Sequence, residues 1–597
     1  MSSTSSAAAW VRPSPRWLLP HAGNGLARPL LEQELGLEPL VAAVLAARGY
    51  AEPEAARHFL SPQLGSLHDP LLMRDMGRAA TRLMNAIQAQ ESILLYGDYD
   101  VDGTSSIVVL KKAIEILGGR ADFHIPHRLK DGYGMRSEVI EQASADGVRL
   151  IVSVDTGIRA NQVVERANTF GVDVIVTDHH LPEADLPPAL AVLNPNRPDC
   201  EYPNKNLCGA GVTFKLVQAL LAQSGMAETR RGALLESFLK PVAIATVADI
   251  VPLTDENRVI VRRGLSGLRQ VRNTGLRALL KVAGFDEGDS PSAQQVAFRL
   301  APRINAAGRM ATARDVIELL LTEDGDRAKQ LAEQLDALNR ERQQAESDIV
   351  EAILRQCEER PFHPDSAGLV FAGEGWHLGV LGIVASRLVE RFCRPVFVVS
   401  EAATEDEEGR PFFSGSGRSI PAFHLLEALE AMPELFAKFG GHRQAAGLTL
   451  RARDVEQFQQ RFDEFARAKL SADDLRAQHI ADAEASFAEL SDRCVRQLMS
   501  LGPFGFGNPA PVFYCARAVV AGPAKVLKDG RHFSVPLKHN GRVLFCKAWN
   551  FGERAALFEP GAKIDLLFQI EEDPMSRKRG YGWWCLSLKD VRLSKGE

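Results

Sequence analysis

No Cys-x-x-Cys pair occurs among the eight cysteines, Cys200, Cys208, Cys357, Cys393, Cys494, Cys515, Cys546 and Cys585. Their scatter argues against a zinc ribbon and against a disulfide framework, and it implies a reducing, cytoplasmic setting. No uninterrupted apolar run is long enough to span a bilayer, so no membrane partner is expected. The first nine residues lack a basic start followed by an apolar core. They read as a frayed tail rather than a secretory signal, with a transit peptide as the alternative because acids are absent until Glu32. Internal repeats are absent, as are low-complexity blocks beyond that tail. Positive charge is not in excess either: Lys and Arg number 70 against 76 Asp and Glu. Any contact with nucleic acid must therefore come from local basic patches. At 597 residues the chain is too long for one core and suggests roughly three to five domains.

What is present is a series of acids, each directly after an apolar run. Ile93-Leu94-Leu95-Tyr96-Gly97 leads into Asp98-Tyr99-Asp100-Val101-Asp102-Gly103. Leu150-Ile151-Val152-Ser153-Val154 ends in Asp155-Thr156-Gly157, and Val172-Asp173-Val174-Ile175-Val176-Thr177 ends in Asp178-His179-His180. Asp249 follows a further apolar run, 242–248. Carboxyl ends of strands in an open α/β sheet are where ligands bind. So many carboxylates share a dry site only if cations neutralise them. Carboxylates with imidazole suit a pair of Mn²⁺ or Mg²⁺ ions. Asp100 and Asp102, two apart on an extended loop, face the same way and with Asp155 can bridge two metals. His179 is the expected imidazole ligand, and Asp249 closes the second metal. Asp98 and Asp178 orient ligands, and His180 ligates or contacts a phosphate. Taken singly, an Asp after a strand is as well explained as a helix cap; the four motifs together are not.

The surrounding pattern supports such a sheet. Residues 30–72 read as short helices with Pro breaks, and 78–307 alternate strand and helix. The expected elements are strands at 92–97 and 122–125, helices at 104–117 and near 137–145, and the strands ending at Asp155 and Asp178. The stretch 324–359 has no Pro and only Gly325, with Leu331, Leu335 and Leu338 at helical spacing. It reads as one long strut between two lobes. Residues 367–470 form a second α/β segment with three Gly-rich stretches, 373–379, 414–419 and 439–443. After Gly502-Pro503-Phe504-Gly505-Phe506-Gly507-Asn508-Pro509 come short β-like runs at 512–515, 516–520, 532–535, 543–548, 563–570 and 583–588. These suggest a small barrel or sandwich.

Glycine lets backbone N–H groups approach phosphate oxygens. Ser416 and Arg418 beside the second Gly-rich stretch suit a terminal phosphate, and His442 after Gly440-Gly441 can reach a scissile one. Arg258, Arg262, Arg263, Arg269, Arg272 and Arg277 read as a solvated helical face. Lys525, Lys528, Arg531 and Lys547, interleaved with Phe533, Phe545 and Trp549, follow the pattern of a single-strand-binding fold.

These motifs resemble those of the DHH phosphoesterase family, in particular its single-strand-specific 5′→3′ exonuclease branch. The resemblance runs from about residue 80 to the C-terminus and includes Leu300-Ala301-Pro302-Arg303-Ile304-Asn305-Ala306-Ala307-Gly308-Arg309, Gly415-Ser416-Gly417-Arg418-Ser419-Ile420 and Gly440-Gly441-His442. Carried over, Asp100, Asp102, Asp155, His179, His180 and Asp249 match the family's metal site, and Arg303, Asn305 and Arg309 become expected strand contacts. One departure stands out. Many members place a ligand His four residues before the first acid of the D-x-D pair. Here that residue is Tyr96, which weakens the first metal or recruits Asp98. The implied fold class is α/β: a DHH-type parallel-sheet domain and a DHH-associated α/β domain joined by a long helix, plus a C-terminal β-barrel of OB type. The expected boundaries are 1–77 N-terminal helical segment, 78–310 catalytic, 311–360 connecting, 361–475 DHH-associated and 476–597 single-strand-binding.

The resemblance implies a metal-dependent, monomeric exonuclease for single-stranded DNA that releases mononucleotides in repair and recombination. It also implies single-strand-binding protein and a RecQ-type helicase as partners. One alternative is a phosphodiesterase for short oligonucleotides or cyclic dinucleotides, against which the β-rich C-terminus speaks. Another is an inactive DNA-binding scaffold, which would need none of the acids.

Overall fold

The computed structural model describes residues 13–20, 27–128, 131–132, 134–405, 409–527, 530–573 and 582–594. The catalytic lobe is built on a five-stranded parallel sheet. Its strands run in the order Ala121–His124, Ile93–Gly97, Leu150–Val154, Asp173–Thr177, Ala191–Leu193. Side chains alternate across a strand, so each strand feeds two cores. Leu95, Val152 and Ile175 pack with Leu110, Phe214 and Leu239 of the helices Val101–Ile116, Gly209–Gln223 and Glu228–Ala248. Leu94, Tyr96, Ile151 and Val174 pack with Ile140 and Val164 of the helices Ser137–Ala145 and Asn161–Thr169. Both faces are covered, as a parallel sheet requires.

The strut is real. Helix Gly325–Glu359 has 35 residues, about 52 Å at 1.5 Å per residue, and Asp324 caps its first N–H groups. Its first half (Ala328, Leu331, Leu335) belongs to the catalytic core. Ile349 and Ile353 belong to the core of the second lobe. That lobe is a five-stranded mixed sheet, ordered Phe436–Gly441, Ala445–Arg451, Pro411–Arg418, Val396–Glu405, Leu369–Gly373. Helices Val455–Lys469 and Leu381–Phe392 cover its two faces.

The C-terminal strands close a barrel. Phe513–Val520, Lys563–Glu572, Trp584–Leu593, Arg542–Ala548 and Phe533–His539 pair in turn around the ring, and Val519 and Val520 meet Lys538 and Leu537 to shut it. Closure removes exposed strand edges. The runs expected at 512–515 and 516–520 are one strand. A bulge between Cys515 and Ala518, with Arg517 at φ 54°, bends it where the sequence suggested a break.

Two expectations about the ends are corrected. The helices Ala27–Leu35, Pro39–Ala47 and Pro53–Leu60 are not a separate N-terminal unit. Leu31, Leu40, Val41, Leu45 and Phe59 share one core with Phe513, Val535 and Leu566 of the barrel. In addition, Arg16–Leu18 pairs in parallel with Gln478–Ile480. Of the arginines expected on a solvated face, Arg263, Arg269, Arg272 and Arg277 are exposed, whereas Arg258 and Arg262 form a joint. Arg258 is 2% exposed, stacks 3.6 Å from the centre of the Phe59 ring and donates to the carbonyls of Phe59 and Gly502. Arg262 donates to the carbonyls of Ser500 and Gly502. Burial, with Arg262 close by, lowers the pKa of Arg258 to about 9. Lys528 and the first nine residues lie outside the described part. Among the described residues, no helix is long and apolar enough to cross a membrane.

Candidate metal centre

Each acid is set by backbone hydrogen bonds. Asp100 is the N-cap of the helix Val101–Ile116 and accepts from the N–H groups of Asp102 and Gly103. The helix therefore begins three residues before the expected Thr104, and Asp102 lies in its first turn rather than on an extended loop. Consequently Asp100 and Asp102 do not face the same way, and they fall in different clusters. The Asp102 carboxylate accepts from the N–H groups of Gly209 and Ala210, at 2.6 and 2.8 Å, at the start of the helix Gly209–Gln223. Asp155 adopts φ 59°, strained for a residue with a side chain. A Cβ on Gly209 would lie 2.6 Å from that of Asp155, so only glycine fits there. Asp178 is fully engaged: it accepts from the backbone of Ile158, His179 and His180 and pairs with His180 Nδ1 at 2.7 Å.

Three clusters of possible ligands result: Asp98, Asp100 and Asp155; Asp102, His179 and Asp249; and Asp155, His179 and His180. In each, the ligand atoms lie within 4.8 Å of one another. His179 Nε2 lies 3.3 Å from Asp155, 3.8 Å from Asp249 and 3.9 Å from Asp102. Burial and like charge raise the pKa of Asp98, Asp100, Asp155 and Asp249. The Asp155 carboxyl is pushed well above its usual range by burial and by Asp102, Asp100 and Asp98. Burial and Asp102 push Asp249 to about 9. Buried Asp98 Oδ1, Asp249 Oδ2 and His179 Nε2 make no hydrogen bond among the described residues. Oxygen and imidazole donors left in this way fit Mn²⁺ or Mg²⁺. Tyr96 turns aside, its hydroxyl donating to the Gly134 carbonyl, while Asp98 joins the cluster with Asp100 and Asp155.

The phosphate-binding candidates divide. Arg309 donates to the Gly379 carbonyl of the second lobe. Burial, helped by nearby Arg128, Arg342 and Arg418, lowers its pKa to about 10. Arg418 is lowered by burial and by Arg128. Arg128, missed in the sequence, lies 5.0 Å from the Tyr99 ring. These arginines concentrate positive charge beside the acids. His442 is lowered by burial and by Arg159 and His180 across the cleft. Asn305 accepts from the Val101 N–H, fixing the acid-bearing turn. Arg303 is bound to Asp336 of the strut at 2.8 Å.

The second Gly-rich stretch is not a phosphate cradle. Gly415, Ser416 and Gly417 lie in a central strand paired on both sides, so their backbone is already bonded. Glycine is needed there because a Cβ would strike the Val398 carbonyl or the Phe397 ring. In the barrel, Phe533 is core, whereas Phe545 and Trp549 are exposed. Lys547 pairs with Asp573 and Glu571.

Acid and imidazole clusters linked through Asp155 and His179 at the carboxyl ends of a parallel sheet define a metal-dependent phosphoesterase centre. The chain matches the family model "DHH family, N-terminal domain" over residues 92–246, "DHHA1 domain" over 365–468 and "RecJ OB domain" over 481–580. It is 37% identical over 580 residues to the single-stranded-DNA-specific exonuclease RecJ of Bacillus subtilis, covering 97% of this chain and 71% of that protein. To RecJ of Escherichia coli it is 38% identical, covering 80% and 83%. The structure of RecJ from Thermus thermophilus in complex with Mn²⁺ superposes with a TM-score of 0.81 at 28% identity, over 97% of this chain and 80% of that one. The same protein with Mg²⁺ gives 0.75 at 27% identity, over 97% and 79%. The chain belongs to the RecJ family.

Proposed function

We propose that this protein is a metal-dependent exonuclease that hydrolyses single-stranded DNA from its 5′ end to mononucleotides, in DNA repair and recombination. The observation that carries the reading is the three acid and imidazole clusters that meet at Asp155 and His179, beside Arg128, Arg309 and Arg418. Asp98, Asp100 and Asp155 would hold one ion, and Asp102, Asp155, His179 and Asp249 the other. When bound, Mn²⁺ or Mg²⁺ neutralises the phosphodiester and makes water a nucleophile at neutral pH.

The chain's own residues do the rest. The guanidiniums of Arg418, Arg309 and Arg128 take a terminal 5′-phosphate, which sets the direction of attack. Burial opposes a proton on His180, but its hydrogen bond to Asp178 and the charge of Asp178 prevail, and its pKa is raised. With Nδ1 on Asp178, His180 is the group that would give a proton to the leaving oxygen. The barrel, with Phe545, Trp549 and the neighbouring Lys525 and Arg531, holds the strand on the 3′ side of the cleavage site. We place the enzyme in the cytoplasm as a monomer, with single-strand-binding protein and a RecQ-type helicase as partners.

The test is digestion of 5′- and 3′-labelled single strands, duplexes and dinucleotides with Mn²⁺ or Mg²⁺. Mononucleotides released first from the 5′ end of single strands support the reading. Preference for dinucleotides, or release from the 3′ end, overturns it.

A further inference from the structure

The Gly502–Pro509 stretch plays no part in the mechanism above, yet it is bonded to the segment that follows the metal-site residue Asp249. The Leu253 N–H donates to the Phe506 carbonyl at 2.8 Å, tying this barrel-side loop to the segment that leaves Asp249. The two backbones are in intimate contact: a Cβ on Gly505 would lie 2.7 Å from the Leu253 side chain, and one on Gly507 2.8 Å from that of Pro252. The turn is also rigid. Gly505 and Asn508 exchange backbone hydrogen bonds, with Gly507 at φ 72°. The Asn508 side chain donates to the carbonyls of Leu501 and Pro503 and accepts from Arg48.

This stiff turn holds Phe506 60% exposed. A lone exposed apolar residue needs no explanation, but Phe506 is not alone. Ile250, directly after Asp249, is 67% exposed and sits at φ 58°, a conformation that β-branched residues avoid. Leu181, directly after His180, is 65% exposed. Three large apolar side chains are thus displayed, two directly after metal-site residues and one on a turn bonded to the segment that follows Asp249. Strain and rigidity retained to present apolar surface to water point to a ligand with an apolar face.

Resting on the exonuclease reading, we infer that Phe506, with Ile250 beside the metal site, is a stacking platform for a nucleobase of the bound strand. It bridges the barrel and the active site and positions the strand between them. A base supplies the flat π-face that a rigid exposed phenyl ring accepts whatever the sequence.

The test uses the full-length protein and strands in which one abasic residue is walked position by position from the 5′ end. In the wild type, one position should lower kcat/KM by about 5- to 150-fold, the range of a single base–aromatic stack. Phe506→Ala should lower kcat/KM on intact strands by a similar factor and abolish the abasic penalty at that position. Phe506→Trp should restore both. Thymidine 5′-p-nitrophenyl phosphate, which has no further base, supplies the reference rate, and the ratio of strand to ester rates should fall in Phe506→Ala. Equal loss on both substrates would make Phe506 a mere support for the Asp249 segment and overturn the platform. An unchanged abasic penalty in Phe506→Ala would overturn it as well, leaving the exonuclease reading intact. A wild type that cuts no strand overturns both.

Discussion

The catalytic lobe is largely folded from one stretch of chain, whereas the barrel module is assembled from two stretches more than four hundred residues apart. In the lobe, strands, helices and acids follow each other in order, and charge is concentrated at the centre on a strained turn. In the module, three N-terminal helices fill a barrel made by the C-terminal strands, and its polar joints lie at the seam. Chemistry and strand binding therefore have separate stability requirements.

Removing residues 1–60 should break the comparison most severely. It strips nine buried apolar side chains from the barrel core. At roughly 1.5–3 kcal/mol for each large one, this exceeds typical domain stability. Limited proteolysis should cut freely within 513–593 while the catalytic lobe resists; a resistant barrel would mean that the helices only decorate it. Truncation after Ser500 is no clean deletion either, since it bares the same helices.

Asp155→Ala should act in the opposite sense, lowering activity by about 10³-fold or more while the barrel melts normally. Mn²⁺ should raise the Tm of the wild type but not that of the variant. Most of the activity surviving in saturating Mn²⁺ would remove Asp155 from the site.

Glu256→Ala tests the lobe's own interior. Lys215 and Glu256 are both fully buried and lie 3.2 Å apart, with the Tyr202 hydroxyl on Glu256. Losing the carboxylate strands an ammonium and should cost about 3–5 kcal/mol, read by denaturant unfolding of the lobe. A cost below about 1 kcal/mol would show that water reaches the pair.

The smallest effect is expected from Arg418→Ala. Losing a charged hydrogen bond is worth about 1.5–3 kcal/mol, and the loss should appear as reduced preference for 5′-phosphorylated over 5′-hydroxyl strands. Equal preference in both proteins would move end recognition to Arg128 and Arg309.

Much of the lobe was legible because its signals are local. An apolar run followed by an acid reports a strand end without knowledge of its neighbours, and so Asp98, Asp155, Asp178 and Asp249 stood out. The parts that escaped depend on distant partners. Gly209 and Ala210 hold Asp102 from more than a hundred residues away, and their only sign was glycine and alanine opening a helix. Arg128 and Asn305 gain their roles from what lies beside them. Gly415 and Gly417 misled because glycine serves close packing as readily as phosphate contact. Likewise, because its partners lie far along the chain, the stretch 30–72 looked like short helices of a separate N-terminal segment rather than half of a core.

The shared core of N-terminal helices and barrel also orders events during synthesis. Helix Pro39–Ala47 is almost wholly apolar, and its partners emerge only after Ala483. At roughly 5–20 residues per second, it waits on the order of half a minute to a minute and a half with its surface bare. A ribosome that stops early leaves that surface permanently uncovered, so the module marks an unfinished chain for capture by chaperones or proteases.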